Sequence, residues 1–413
     1  MRWSTRRGVL AAATAASLLA AACGGDDGDS ADGGGAPTGD TILIGTSLPL
    51  TGQLGSFGPL LEAGYEAAID DVNAAGGLKV GDKTYQVELK VVDNKSDGNQ
   101  AASQARELVL SDQVVAMLGA VTPPLSIPLS VAAEQNKVPM VSTATPIQAW
   151  LGGNKDGWHY AFDAFFDENH MTDLQFNAAD LVDTNKKVAL FTDLEEDGKV
   201  MGGMWVDKAP EFGYEIVSHA EFAVGTTNFS AQIEEAKKAQ AEVVISQVVP
   251  PDAISLLKQM KAAGYQPKVM FIEKGSSFGA WPQASEGLGD GIMVAAYFAE
   301  GLDLPNEAEM LAKFSKDGSV NPDVGGSVLA YSAARVLMDG ISQAGSTDSD
   351  AIVAALEKLE GDYPFGHVDF GDDHAAATPT FMGQWVGADI VAVTTAEGKA
   401  GPAEPQAPVT GLK

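Results

Sequence analysis

The chain has 413 residues and carries 26 Lys+Arg against 56 Asp+Glu, a formal charge of −30. That balance disfavours nucleic acid as a partner, because a polyanion is held by clustered cations. A single cysteine leaves no disulfide framework and no zinc constellation, and the five histidines form no H-E-x-x-H pair, so no metal or other cofactor is expected.

Arg2, Arg6 and Arg7 precede an apolar, Ala-rich stretch over 8–22, the order of a secretory signal peptide rather than of a folded element. About fifteen apolar residues are too few to cross a bilayer as a permanent helix. The run STRRGVL at 4–10 resembles a twin-arginine export signal. Cys23 follows Ala20, Ala21 and Ala22 where the apolar run stops. This resembles a lipobox, the site at which bacterial lipoproteins are cleaved and acylated, with Ala20 in place of the usual Leu. The resemblance implies a signal peptide over 1–22 and a lipid anchor on Cys23. Residues 24–40 hold no large apolar side chain, so 23–40 reads as a lipidated flexible tether.

The remaining chain, about 370 residues, is too long for one core and predicts two lobes. A β-rich run at 41–47 precedes a Gly-containing loop and then Phe57, Leu61, Tyr65, Ala68, Ile69 and Val72 at helical spacing, ended by Gly76-Gly77. Further strands are predicted at 85–92, 114–118 and 138–141, with helices at 99–110 and 126–135 between them. After an irregular stretch at 151–158 the rhythm restarts: helices at 167–182, 198–211, 229–239 and 252–263 alternate with strands at 188–192, 215–218, 243–247 and 269–272. A strand from 292, helices at 307–315, 327–342 and 349–360, and β-like pieces at 367–370 and 381–393 complete the series. Strands alternating with helices predict an α/β fold of two doubly wound parallel sheets. A Pro/Ala-rich tail over 398–413 is expected to be flexible.

In such sheets ligands sit beyond the carboxyl ends of the strands. In the first lobe those ends carry Thr122 and the cluster Ser142, Thr143, Ala144 and Thr145, whose hydroxyls could hold a carboxylate or amide or could serve turns and caps. In the second lobe they carry Asp193, Asp197, Gln247, Glu273 and Lys274. An acid there could hold a ligand ammonium, whereas Asp197 could equally cap a helix. The run GSSFG at 275–279 matches the G-x-S-x-G nucleophile pattern, with His367 and His374 downstream as bases. An exported hydrolase using Ser277 is therefore an alternative reading, although Trp281-Pro282 interrupts the helix that the motif needs.

The runs IGTSLPLTG at 44–52 and GYEAAIDDVNAAGG at 64–77, followed by VDN at 92–94, VPMVS at 138–142, NFS at 228–230, KQMKAAG at 258–264 and GQW at 383–385, resemble the branched-chain amino acid (Leu/Ile/Val) and amide binding proteins of ATP-driven importers. The resemblance covers about 41–395. It implies the type I periplasmic-binding-protein fold, with lobes at 41–162 plus 297–366 and at 163–296 plus 367–397, joined by three hinge crossings. It also implies a monomer that traps an amino acid, amide or related carboxylate by closing and presents it to a transporter permease; a sensor on the same fold would differ in its partner. Phe57 would border the ligand, and Thr122 with the 142–145 loop would hold its carboxylate or amide. Asp197 falls where an aromatic is common, Pro123 where a Ser is common, and either Glu273 or Lys274 where an acid holds the ammonium.

Overall fold

The computed structural model describes residues 35–298, 302, 304–315 and 322–413; the expected signal peptide, Cys23 and most of the tether lie outside them. The first series is β1 (Thr41–Leu48), α1 (Gly58–Ala74), β2 (Leu78–Val80), β3 (Lys83–Asp93), α2 (Gly98–Leu110), β4 (Ala116–Leu118), α3 (Pro123–Asn136), β5 (Met140–Ser142), α4 (Ile147–Gly152) and β6 (Ala161–Phe165). The second is α5 (Glu168–Ala179), β7 (Lys187–Asp193), α6 (Glu196–Lys208), β8 (Glu215–Phe222), α7 (Ser230–Lys238), β9 (Val243–Val248), α8 (Pro250–Ala262), β10 (Val269–Lys274), α9 (Trp281–Ala284) and β11 (Met293–Ala296). Then follow α10 (Glu307–Phe314), α11 (Pro322–Ala344), α12 (Ser349–Leu356), β12 (Glu360–Tyr363), β13 (Gly366–Asp369), β14 (Ala375–Ala377), β15 (Phe381–Val386) and β16 (Asp389–Ala392).

Fourteen of these strands form two seven-stranded sheets, ordered β14-β6-β5-β4-β1-β3-β2 and β16-β15-β11-β10-β9-β7-β8, and β12 and β13 form a two-stranded antiparallel sheet of their own. Central strands are buried throughout: β9 (VVISQV) and β10 (VMFIEK) have no exposed residue, as parallel strands covered by helices on both faces require. The sheets are parallel in their centres, and here the purely parallel expectation is corrected. The edge strand β2 pairs antiparallel with β3, β15 pairs antiparallel with β11, and β16 pairs antiparallel with β15. The β2–β3 and β15–β16 pairs are short hairpins, which need no crossover helix.

The chain passes between the sheets after β6, after β11 and after β14. The boundaries differ from those expected at 163 and 367. β6 runs on to Phe165, and β14 pairs with it in the first sheet, so the last passage falls after Ala377. β6 was invisible in the sequence because Asp163 interrupts an apolar run; this carboxyl is fully buried, and desolvation holds it well above the usual carboxylate range. The tail expected to be flexible is docked: Val409 and Leu412 are buried, and Gln384 exchanges hydrogen bonds with Gln406 at 2.9 and 2.7 Å. At the other end, Gly35 N–H donates to the Val114 carbonyl at 3.1 Å, so the tether gives way to folded chain before residue 40. Among the described residues no helix is long and apolar enough to cross a membrane.

In the first lobe α1 lies directly on α11. A Cβ at Gly64 would stand 2.3 Å from the Ser327 carbonyl oxygen and 2.6 Å from the Ala330 Cβ. Gly64→Ala is therefore expected to destabilise the chain by about 1–2 kcal/mol through overpacking, despite the gain in helix propensity. Urea unfolding checks this; an unchanged midpoint would mean that the two backbones do not approach so closely.

Candidate functional site

The carboxyl ends of both sheets face one cavity of about 910 Å³, counting the space at its mouth. From the first lobe come Phe57, Leu60 and Leu61 at the start of α1, Val121 and Thr122 after β4, and Ala144 after β5. The second lobe supplies Asp197 from α6, Gln247 from β9, Glu273 and Lys274 from β10, and Ser277. Between them Phe165, Phe166, Tyr297 and Phe298 stand at the first two passages. Phe165 lies 4.6 Å from Phe166 and 4.7 Å from Tyr297 between ring centres, and Phe166 and Tyr297 are parallel to within 3°. The wall is thus mostly apolar and aromatic with a few polar groups converging on it, the usual make-up of a small-molecule site.

Three wall residues hold left-handed backbone: Thr122 at φ 61°, Ala144 at φ 55° and Lys274 at φ 61°. Non-glycine residues, and β-branched Thr above all, resist this region at a cost of about 1–3 kcal/mol each. Lys274 ends β10, Ala144 stands two residues after β5 and Thr122 four after β4, in the turns that bring the chain to the cavity.

The expected ligand residues are only partly brought together. Phe57, Thr122, Ala144, Asp197, Gln247, Glu273 and Lys274 line the cavity. Ser142, Thr143 and Thr145 do not: Thr143 Oγ1 donates to the Ala164 carbonyl at 2.8 Å, Thr145 Oγ1 to the Thr143 carbonyl at 3.3 Å, and Ser142 is wholly buried. Their hydroxyls fasten the turn behind the wall. The N-termini of α3 and α4 offer little to a ligand. α3 opens on Pro123 and Pro124, which have no N–H, and the N–H groups of Leu125 and Ser126 donate to the Thr122 carbonyl. In α4 the N–H groups of Gln148 and Ala149 donate to the Glu168 carboxylate at 2.7 and 2.8 Å. Glu168 opens α5, so this bond ties the lobes across the first passage; burial raises its pKa to about 7.

In the second lobe Lys274 Nζ lies 2.9 Å from Asp193, 3.0 Å from Asp197 and 3.3 Å from Glu195. The three carboxylates offer oxygens within 4.8 Å of one another, a spacing suited to a cation, and the ammonium fills it. The triad holds the ammonium charged, with its pKa above the ordinary lysine value although burial opposes this. Burial, against the pull of Lys274 and reinforced by neighbouring acids, raises Asp193 to about 7. Glu273 points away from this cluster. It accepts from Gln175 Nε2 at 2.9 Å and from the Ala295 N–H at 3.0 Å, and burial raises it to about 7. Gln247 Nε2 donates to Asp197 at 2.7 Å. Among the described residues, four buried side-chain polar atoms of the cavity wall have no hydrogen-bond partner: Thr122 Oγ1, Asp197 Oδ1, Gln247 Oε1 and Ser277 Oγ.

Ser277 does line the cavity, but the nucleophile motif lacks its setting. α9 follows late and has four residues. His367 sits on β13 against Asp362 at 2.8 Å, and His374 is stacked on Phe162 at 4.1 Å; among the described residues no histidine lines the cavity. The wall residues that sequence reasoning missed include Phe165, Phe166, Met171, Tyr297 and Phe298. The signal for the four aromatics was a pair at each of the first two passages, which reads from sequence as ordinary core.

Residues 41–389 match the periplasmic binding protein family, and the chain belongs to it. It is 30% identical over 331 residues, 76% of this chain and 82% of the relative, to the Leu/Ile/Val-binding protein homolog 3 of Brucella melitensis. It is similar in fold to the branched-chain amino acid transporter substrate-binding protein LivJ of Streptococcus pneumoniae, solved with isoleucine: TM-score 0.74, 23% identity, covering 85% of this chain and 98% of that one. A solute-binding protein of an ABC transporter from R. palustris, solved with benzoate, gives a TM-score of 0.72 at 18% identity, covering 88% and 98%.

Proposed function

We propose that the chain is the extracytoplasmic solute-binding protein of an ABC importer, anchored through Cys23, which captures a small solute by closing its lobes and presents it to a permease without chemical change. One observation carries the reading: polar atoms from both lobes, Thr122 Oγ1 on one side and Asp197 Oδ1, Gln247 Oε1 and Ser277 Oγ on the other, lack partners across a single aromatic cavity. Buried polar atoms left unpaired are costly, so a solute that pairs them gains affinity and one that does not is rejected. Its site residues are Phe57, Thr122, Ala144, Asp197, Gln247, Glu273 and Lys274, with Ser142, Thr143 and Thr145 holding the first-lobe turn. The names of the relatives support the importer role, and the isoleucine and benzoate of the neighbouring structures are each an apolar body with a charged end. Three passages between the sheets permit hinge closure.

The test is a thermal-shift screen of the full chain, followed by small-angle scattering with each hit. A solute at about 100 times its Kd is expected to stabilise the chain by about 2.7 kcal/mol and to reduce the radius of gyration. Hits that leave the scattering unchanged would overturn capture by closure.

A further inference from the structure

We infer that the solute is an organic monocation: an amine with an apolar or aromatic body and no carboxylate, its charge against Asp197 and Gln247 and its body among Phe165, Phe166 and Tyr297. The inference rests on the solute-binding reading and narrows it. It begins with which atoms of the wall are free. A carboxylate oxygen only accepts, so the contact between Gln247 and Asp197 at 2.7 Å fixes the amide with its nitrogen toward Asp197 and its oxygen outward. The free atoms of this pair, Asp197 Oδ1 and Gln247 Oε1, are therefore both acceptors. Both residues are more than nine-tenths buried, at 1% and 4% exposure. Two buried acceptors side by side ask for a donor, and an ammonium supplies up to three N–H groups with a compensating charge.

Among the described residues, no lining side chain offers an anion a free cation. Lys274 is the one cation among the described lining residues, and its three N–H donors meet three carboxylates at 2.9, 3.0 and 3.3 Å. The N-terminus of α3 has prolines where N–H groups would point, and that of α4 is spent on Glu168. What remains for a second polar end is neutral: the hydroxyls of Thr122 and Ser277. Asp193, Glu195, Asp197 and Glu273 outnumber Lys274, which leaves the region short of positive charge. An entering carboxylate would deepen that deficit, whereas an ammonium relieves it. The aromatic rings add faces over which an ammonium or its neighbouring carbons can lie.

Four matched probes test this by titration calorimetry on the full chain: 2-phenylethylamine, phenylalanine, 3-phenylpropionate and 2-phenylethanol. The amine is expected to bind most tightly, with phenylalanine and 2-phenylethanol weaker by about tenfold or more, as loss of a charge-assisted hydrogen bond or burial of an unpaired charge implies. No binding is expected for 3-phenylpropionate. Asp197→Asn is expected to weaken the amine about tenfold or more while its melting temperature without ligand stays near that of the parent. Gln247→Leu, which removes the second acceptor and leaves the carboxylate, should weaken it independently. Phenylalanine or 3-phenylpropionate binding as tightly as the amine, or none of the four binding at millimolar concentration, would overturn the assignment. Scattering separates the two readings: a carboxylate that binds and closes the lobes sinks the amine and leaves capture standing, whereas an amine that binds without closure does the reverse.

Discussion

Replacing Lys274 by methionine is expected to destabilise the folded chain by about 3–5 kcal/mol at neutral pH, the usual result of stripping a buried charge cluster of its counter-ion. The loss should shrink as the pH falls. Methionine keeps the length and apolar volume of the lysine stem, so packing is nearly conserved. What it removes is the positive charge 2.9–3.3 Å from Asp193, Asp197 and Glu195. Those acids are then like charges in a poorly hydrated pocket, and each must be neutralised by a proton or remain as repulsion. Removing Lys274 raises the folded pKa values of Asp193 and Glu195 further above the unfolded ones. Such groups contribute stability that is present below the unfolded pKa and lost as the pH rises through the folded pKa. The variant therefore loses stability more steeply with rising pH than the parent. Urea unfolding at about pH 5 and about pH 8 checks this. A loss equal at both values would show that the effect is one of packing, and no loss would show that the triad is not held by Lys274.

The alternation of apolar strands and amphipathic helices made both β/α series legible in the sequence, because central strands such as β9 and β10 are buried on both faces and leave long apolar runs. Elements at the first and third passages were not legible. β6 carries Asp163 in its middle, and β14 is three alanines, Ala375 to Ala377, whose strand character comes wholly from pairing with β6. Tertiary context overrides propensity at such places. The docked tail was hidden for a related reason. Its composition resembles that of a linker, and only a few side chains, among them Gln406, Val409 and Leu412, find places on the second lobe.

The candidate site was legible as a set of strand ends and illegible as a set of directions. Position after a central strand was enough to bring Thr122, Ala144, Asp197, Gln247, Glu273 and Lys274 to the cavity. Whether Thr143 turns its hydroxyl to the cavity or to the Ala164 carbonyl depends on a sharp turn at Ala144, with φ 55°, which composition does not foretell. The choice between Glu273 and Lys274 proves not to be one. Lys274 adopts φ 61°, and both residues line the cavity, one neutralised by an acid triad and the other held by Gln175 and the Ala295 N–H.

Glu273→Gln is expected to make the chain more stable by about 2 kcal/mol at about pH 8 and to lose that advantage by about pH 4.5. Glu273 is 1% exposed and has no cation against it, and burial raises its pKa to about 7 from 4.5. Because the folded value lies above the unfolded one, the parent's carboxyl favours folding below about pH 4.5 and ceases to do so as the pH rises through about 7. Above that value its charge is buried at a cost of about 3 kcal/mol, given about 1.4 kcal/mol for each pKa unit. Glutamine has no charge to bury. It retains one carbonyl oxygen for either the Ala295 N–H or Gln175 Nε2 and forfeits the other bond, worth about 1 kcal/mol. The difference is the net gain at high pH, and the forfeited bond is all that remains at low pH, where the parent is neutral. Glu168 and Asp193, each raised to about 7, add slopes of the same sign, so the parent itself should melt lower at about pH 8 than at about pH 5. Thermal melts of both proteins across this range decide the matter: a constant offset would mean that Glu273 does not titrate there. Stability gained in this way removes a negative charge from the cavity wall, so Glu273→Gln should also bind 2-phenylethylamine more weakly than the parent while melting above it. A buried carboxylate that costs stability and lines the cavity is the pattern expected of a binding residue rather than a structural one.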